Sequence, residues 1–130
     1  MAAFVTPPRT RVLGASSTNW VQVWPYTRWM PTASVKQVQV LIEAQAVTST
    51  FRFRPMFQLA TTDTDEPDAW DDFGAVLSTD GLHTVDLTDL ESSDTIQNAY
   101  FIRFGVLGRS TTNATWASGE ITATFGITSN

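Results

Sequence analysis

Cysteine is absent from the chain, and histidine occurs once, as His83. The first absence excludes a disulfide scaffold, a thiolate metal site and a cysteine nucleophile; the second argues against a histidine-rich metal site or a Ser-His-Asp triad. His83 shares a face with Val85 and Leu87, with no nucleophile partner in view, and reads as a hydrogen-bonded, partly buried side chain. No glycine-rich phosphate loop occurs. No hydrophobic run approaches the ~20 residues of a membrane helix, and Met1 to Val12 lack the apolar stretch of a secretory signal. A soluble protein made in a cytoplasm is expected, with no membrane partner. Charged residues are also scarce, at 16% against 42% hydrophobic, a balance too apolar for disorder. What remains is a single domain of 130 residues, long enough to bury about two-thirds of its surface without metal or crosslink. It has the character of a binding or assembly domain, with no enzymatic role and no cofactor expected.

The net charge of −5 is unevenly distributed. Residues 1–62 carry six bases and one acid, residues 63–94 carry eleven acids and no base, and residues 95–130 carry two bases and one acid. An acidic rim and a mildly basic one follow, and nucleic acid is not an expected partner.

Period-two alternation dominates the chain. Val38, Val40, Ile42, Ala44 and Ala46 alternate with glutamines and Glu43, the pattern of a half-buried strand. Phe51, Phe53, Phe57 and Leu59 oppose Arg52, Arg54 and Gln58, with Pro55 placing that strand at an edge or at a bulge. The segment from Tyr100 to Leu107 is apolar enough on both faces to be central, with the last strand, Ile121 to Ile127, as its expected neighbour. Shorter candidates are Trp20–Trp24, Ala75–Ser78 and Leu82–Leu87, the last two joined by Asp80-Gly81 as a hairpin turn. Helical spacing over three turns occurs nowhere; Thr88–Asp94 could form one turn. Twenty threonines suit pleated sheets. The chain is expected to form an all-β sandwich of about seven to eight strands at residues 20–130, jelly-roll or immunoglobulin-like. Residues 1–19, with Pro7-Pro8, read as an extended N-terminal arm that could reach on the order of 60 Å, or alternatively as a first edge strand.

Two segments stand out as candidate sites. Asp63 to Asp72 holds six carboxylates in ten residues. Asp63, Asp65 and Asp68 have the alternation that calcium favours, but an EF-hand loop needs glycine at its sixth position and glutamate at its twelfth, where this chain has Asp68 and Gly74. A solvated loop and a subunit contact are the other readings, the contact involving Asp63, Asp65, Asp68, Asp71 and Asp72 against Arg52 and Arg54 of a neighbour. Between Trp20 and Trp29 lie three tryptophans and a tyrosine, open to three uses: core packing, anchors for a partner, or a sugar-stacking row of Trp20, Trp24 and Trp29.

Pro7-Pro8-Arg9 in the arm, the segment Tyr100-Phe-Ile-Arg-Phe-Gly-Val-Leu-Gly108 and the terminal Gly119-Glu-Ile-Thr-Ala-Thr-Phe-Gly-Ile127 together resemble the small, threonine-rich, cysteine-free β-sandwich proteins that decorate the capsids of tailed bacteriophages. The resemblance implies a virion protein on the capsid surface, self-associated as a trimer or similar oligomer and bound to a major capsid protein. Phe4, Arg9 and Arg11 would then be contacts of the arm.

Overall fold

The computed structural model describes residues 3–6, 8–60, 70–88, 96 and 99–128; of residues 3, 4, 11, 13 and 22–26 it describes the backbone alone. In chain order the strands are β1 (Ala3–Val5), β2 (Arg9–Ala15), β3 (Val21–Tyr26), β4 (Met30–Pro31), β5 (Gln37–Gln45), β6 (Phe51–Ala60), β7 (Asp71–Asp72), β8 (Gly81–Leu87), β9 (Phe101–Ser110) and β10 (Ala117–Thr128). They form two antiparallel sheets. Sheet A has the order β1-β10-β5-β8, with β2 continuing β1 along β10; sheet B has the order β3-β9-β6-β7, with β4 continuing β3 along β9.

The pairs are nested. β6 and β7 form the innermost, β5 and β8 enclose them, β3 and β4 on β9 come next, and β1 and β2 on β10 are outermost. Successive pairs alternate between the sheets, so the nested ribbon winds over a shared core, which is the jelly-roll form of the expected sandwich. This order corrects two expected pairings. β9 and β10 lie in opposite sheets, and Asp80-Gly81 joins no hairpin: Leu77 bridges Phe53 in sheet B, whereas β8 pairs with β5 in sheet A. Gly81, at φ 114, makes the crossing between sheets, and Asp80 Oδ1 fixes it by accepting the Val47 amide at 2.9 Å.

Alternation selects the core. Val38, Val40, Ile42 and Ala44 of β5 face Ile121, Ala123, Phe125 and Ile127 of β10 in register, and against them pack Phe51, Phe53, Ile102, Phe104 and Val106 of sheet B. Each large side chain removed from water in this way contributes about 1.5–3 kcal/mol.

Prolines fall where a missing N–H does no harm. Pro25 lies on the edge strand β3, where the register slips between Val23 and Tyr26, and Thr27 resumes pairing through its amide to the Phe104 carbonyl (2.7 Å) and its hydroxyl oxygen, which accepts the Phe104 amide (2.9 Å). Pro55 is not on an edge: β6 is internal, and the proline sits between the Leu77 bridge and the two-residue β7, where its partner is interrupted.

The stretch expected to project as an arm takes the alternative course of an edge strand. β1 and β2 run along β10 from Ala3 opposite Thr128 to Ala15 opposite Ala117. At the break between them Thr6 keeps the ladder intact, donating its amide to the Phe125 carbonyl (2.9 Å) while its hydroxyl accepts the Phe125 amide (3.0 Å).

Candidate interaction faces

A strand buried on one side leaves its other parity to solvent, so the outer faces of the two sheets are fixed by the same registers that build the core. They differ in chemistry.

On sheet B the outward positions of β6 and β9 carry four arginines. Arg52 stands directly opposite Arg109, and Arg54 opposite Leu107. The Arg52 guanidinium donates to the Ser49 and Phe51 carbonyls at 3.0 and 2.9 Å. Arg54 forms an ion pair with Asp72 and donates Nε–H to the Gly74 carbonyl at 2.6 Å. The acidic run and the Arg52/Arg54 strand, expected to meet between subunits, thus meet within one chain at this pair, while Asp71 stays exposed. Arg109 lies 5.1 Å over the Trp20 ring, with its Nε buried and lacking a hydrogen-bond partner.

Arg103, which composition and spacing do not single out, joins three segments. Its Cζ is 4.6 Å from the Trp29 ring centre and 5.2 Å from that of Trp70, and its Nε donates to Gln58 Oε1 at 2.8 Å. Such cation–π contacts contribute roughly 0.5–1 kcal/mol at exposed sites. A guanidinium therefore covers one face of Trp29 and one of Trp20, while Trp29 remains exposed.

The outer face of sheet A is mostly neutral, with three carboxylates, Glu43, Glu120 and Asp86, and no base among its paired outward positions. Across its rows stand Val12, Glu120 and Gln45; then Thr10, Thr122, Glu43 and Leu82; then Thr124, Leu41 and Thr84; then Val5, Gly126, Gln39 and Asp86. None of these outward positions holds Lys or Arg. Val5, Val12, Leu82 and Trp116 are 67–69% exposed, and Leu41 is also open to solvent. Trp116 lies over Gly14, where a Cβ would come within 2.1 Å of the indole. This cross-strand cover of a bare edge glycine shields backbone and leaves the outer side of the ring to solvent.

Of the remaining candidates, Arg9 is exposed opposite Ala123 at the sandwich margin. Asp63, Asp65 and Asp68, both as subunit contacts and as calcium ligands, lie outside the described residues, as do the side chains of Phe4, Arg11 and Trp24. Among the described residues no three His, Asp or Glu side chains cluster as metal ligands, and no helix is long and apolar enough to cross a membrane. His83 is half-buried, its Nε2–H donating to the Thr79 carbonyl at 2.8 Å and its ring edge-on to Phe53 at 5.7 Å.

Strand order and faces together define a jelly-roll β-sandwich with one arginine-bearing face and one threonine- and glutamine-rich face. No family model matches the chain, and no curated relative does. Among solved structures, a chain in the structure of infectious bursal disease virus Gx strain is 8% identical at a TM-score of 0.43, covering 93% of this chain and 32% of its own length. This chain therefore spans about a third of that one. A chain of the Bacillus endospore appendages, described as disulfide-linked pili, is 7% identical at a TM-score of 0.37, covering 98% of this chain and 91% of its own.

Proposed function

We propose that this chain is a non-enzymatic structural protein of a virion, and within that class a capsid decoration or cement protein. It binds the assembled shell from outside, together with further copies of itself, a trimer being favoured. The observation that carries this reading is the outer face of sheet A, which presents Val12, Leu82, Leu41 and Trp116 to solvent among threonines, glutamines and three carboxylates. Val12 and Trp116 stand on the β2 side and Leu41 and Leu82 toward β8, and exposed apolar groups set among polar ones suit a protein contact. The threonines and glutamines between them supply neutral hydrogen-bonding groups, while Glu43 and Glu120 favour a partner surface that supplies donors.

The mechanism is mass action. A domain that binds the mature lattice and not its precursors stabilises the lattice by its own binding free energy, and many modest contacts on one shell add up. The Arg54–Asp72 pair takes two charges out of the expected head-to-tail contact, so apolar burial on sheet A provides the affinity and the remaining charges provide orientation.

The test is co-sedimentation of the purified chain with mature shells of the virus that encodes it, followed by thermal disruption of the shells. Bound protein and a higher disruption temperature are expected. Absence of binding to shells from which the native copies have been stripped would overturn the reading.

A further inference from the structure

We propose that a trough on the outer face of sheet A, floored by Gly126, binds a neutral sugar residue. Among Gly14, Gly74, Gly81, Gly119 and Gly126, five of the chain's seven glycines, the last stands apart. At Gly14 a Cβ would come 2.1 Å from the Trp116 ring, at Gly74 2.6 Å from Val85 Cγ1 and at Gly119 3.1 Å from the Phe51 ring, while Gly81 holds a positive φ. Each has a structural reason to be glycine. Gly126 has none: it lies inside β10 between β1 and β5, its φ is not in the left-handed range, and an added Cβ would come no nearer than 3.7 Å to the Gln39 carbonyl oxygen. A glycine weakens a strand interior, and one without a packing reason marks a place where a ligand or another backbone approaches closely.

A cavity of about 350 Å³ lies here, with Val5, Gly126 and the core residues Val38 and Ile127 as its apolar lining. Its polar lining is Gln37, Gln39, Asp86, Thr88 and Thr128. Carboxamides and hydroxyls both donate and accept hydrogen bonds, as sugar hydroxyls do, and Asp86 adds a strong acceptor. A purely cationic group would use only the acceptors. An anion would meet Asp86 with no Lys or Arg in the lining to offset it. The volume lies at the small end of the roughly 300–1,000 Å³ of small-molecule pockets, suited to one sugar unit. Val5 and the bare Gly126 backbone offer apolar ground for the C–H face of the ring. Along β10 the site lies six residues, or about 20 Å, from the Val12 row and four residues, or about 13 Å, from the Leu82 row. It stands independently of the capsid reading, since a sugar-binding protein of any setting would use the same trough.

The experiment is titration of the isotopically labelled protein with glucose, galactose and N-acetylglucosamine at millimolar concentrations, followed by amide chemical shifts. Saturable shifts at Gly126, Asp86 and the Gln37 and Gln39 carboxamides are expected with at least one sugar. Gly126→Val, which fills the trough with a strand-favouring residue, and Asp86→Asn, a change at an exposed side chain, should each weaken binding about tenfold or more. If Gly126→Val fails to fold, Asp86→Asn decides. No shifts with any of the three sugars, shifts confined to Trp20 and Trp29, or unchanged affinity in the variants would overturn the proposal. Tighter binding of arginine amide than of the sugars would also overturn it, and would assign the trough to a basic side chain of a protein partner.

Discussion

Arg54 and Asp72 form an ion pair across the β6–β7 ladder, joining the arginine strand to the acidic run within a single chain. Arg54 is half-buried and also holds the Gly74 carbonyl, whereas Asp72 is largely in solvent. Asp72→Asn should therefore lower stability by no more than about 1 kcal/mol, and by less in high salt. Arg54→Ala should cost more, because it also removes the bond to Gly74 and the cover of the aliphatic stem. Denaturant midpoints at two salt concentrations check both.

Glycine substitutions separate fold from function. Gly126→Ala should leave stability unchanged or raise it by about 0.5–1 kcal/mol, since the strand accepts a methyl there. Gly119→Ala should destabilise, because the methyl would press on the Phe51 ring and Val47 inside the core. Thermal midpoints of the two variants against the parent give the signs directly.

Residues 3–15 close one edge of sheet A, with Ala15 buried. Deleting residues 2–8 should leave the sandwich folded but uncover the β10 edge from Phe125 to Thr128, and an uncovered edge recruits other strands. Faster amide exchange at Phe125 and concentration-dependent association by light scattering are the expected results. Deleting residues 2–15 should go further and destabilise the domain itself. The milder change Thr6→Val removes the acceptor of the Phe125 amide and should cost about 1 kcal/mol.

The clamp on Arg103 predicts a local effect. Trp70→Ala should shift the fluorescence of the remaining tryptophans and loosen the Arg103–Gln58 contact without unfolding the core, since the cluster stands on the outer side of sheet B. Near-ultraviolet and far-ultraviolet circular dichroism together distinguish that outcome from global loss.

Much of this fold is legible in the sequence because alternation reports which parity is buried, as at Val38 to Ala44 and Ile121 to Ile127. Alternation carries no information on partners. It therefore left open jelly roll against immunoglobulin-like order, placed β9 beside β10, and made a hairpin of Asp80-Gly81, whose positive φ serves equally well to cross between sheets. The arm was ambiguous for a related reason. Pro7-Pro8 is compatible with a free extension and with an edge strand, and the Thr6 hydroxyl that carries the ladder past the break has no local signature. The faces were legible only in part: Arg52 and Arg54 stand out by their alternation with phenylalanine, but Arg103 gains its meaning from Trp29, Trp70 and Gln58, which three separate segments supply. Gly126 becomes informative only once the space around it is known.

The measurement that tests the central claim, that the outer face of sheet A is a contact face for assembly, is the solution mass of the chain by light scattering beside Val12→Asp and Leu82→Asp. Both side chains are well exposed, so neither substitution should disturb the fold, and far-ultraviolet circular dichroism should be unchanged. The account predicts a closed oligomer for the parent chain, with both variants shifted to monomer. A parent chain that is monomeric at every accessible concentration, or an oligomer indifferent to both substitutions, would contradict it.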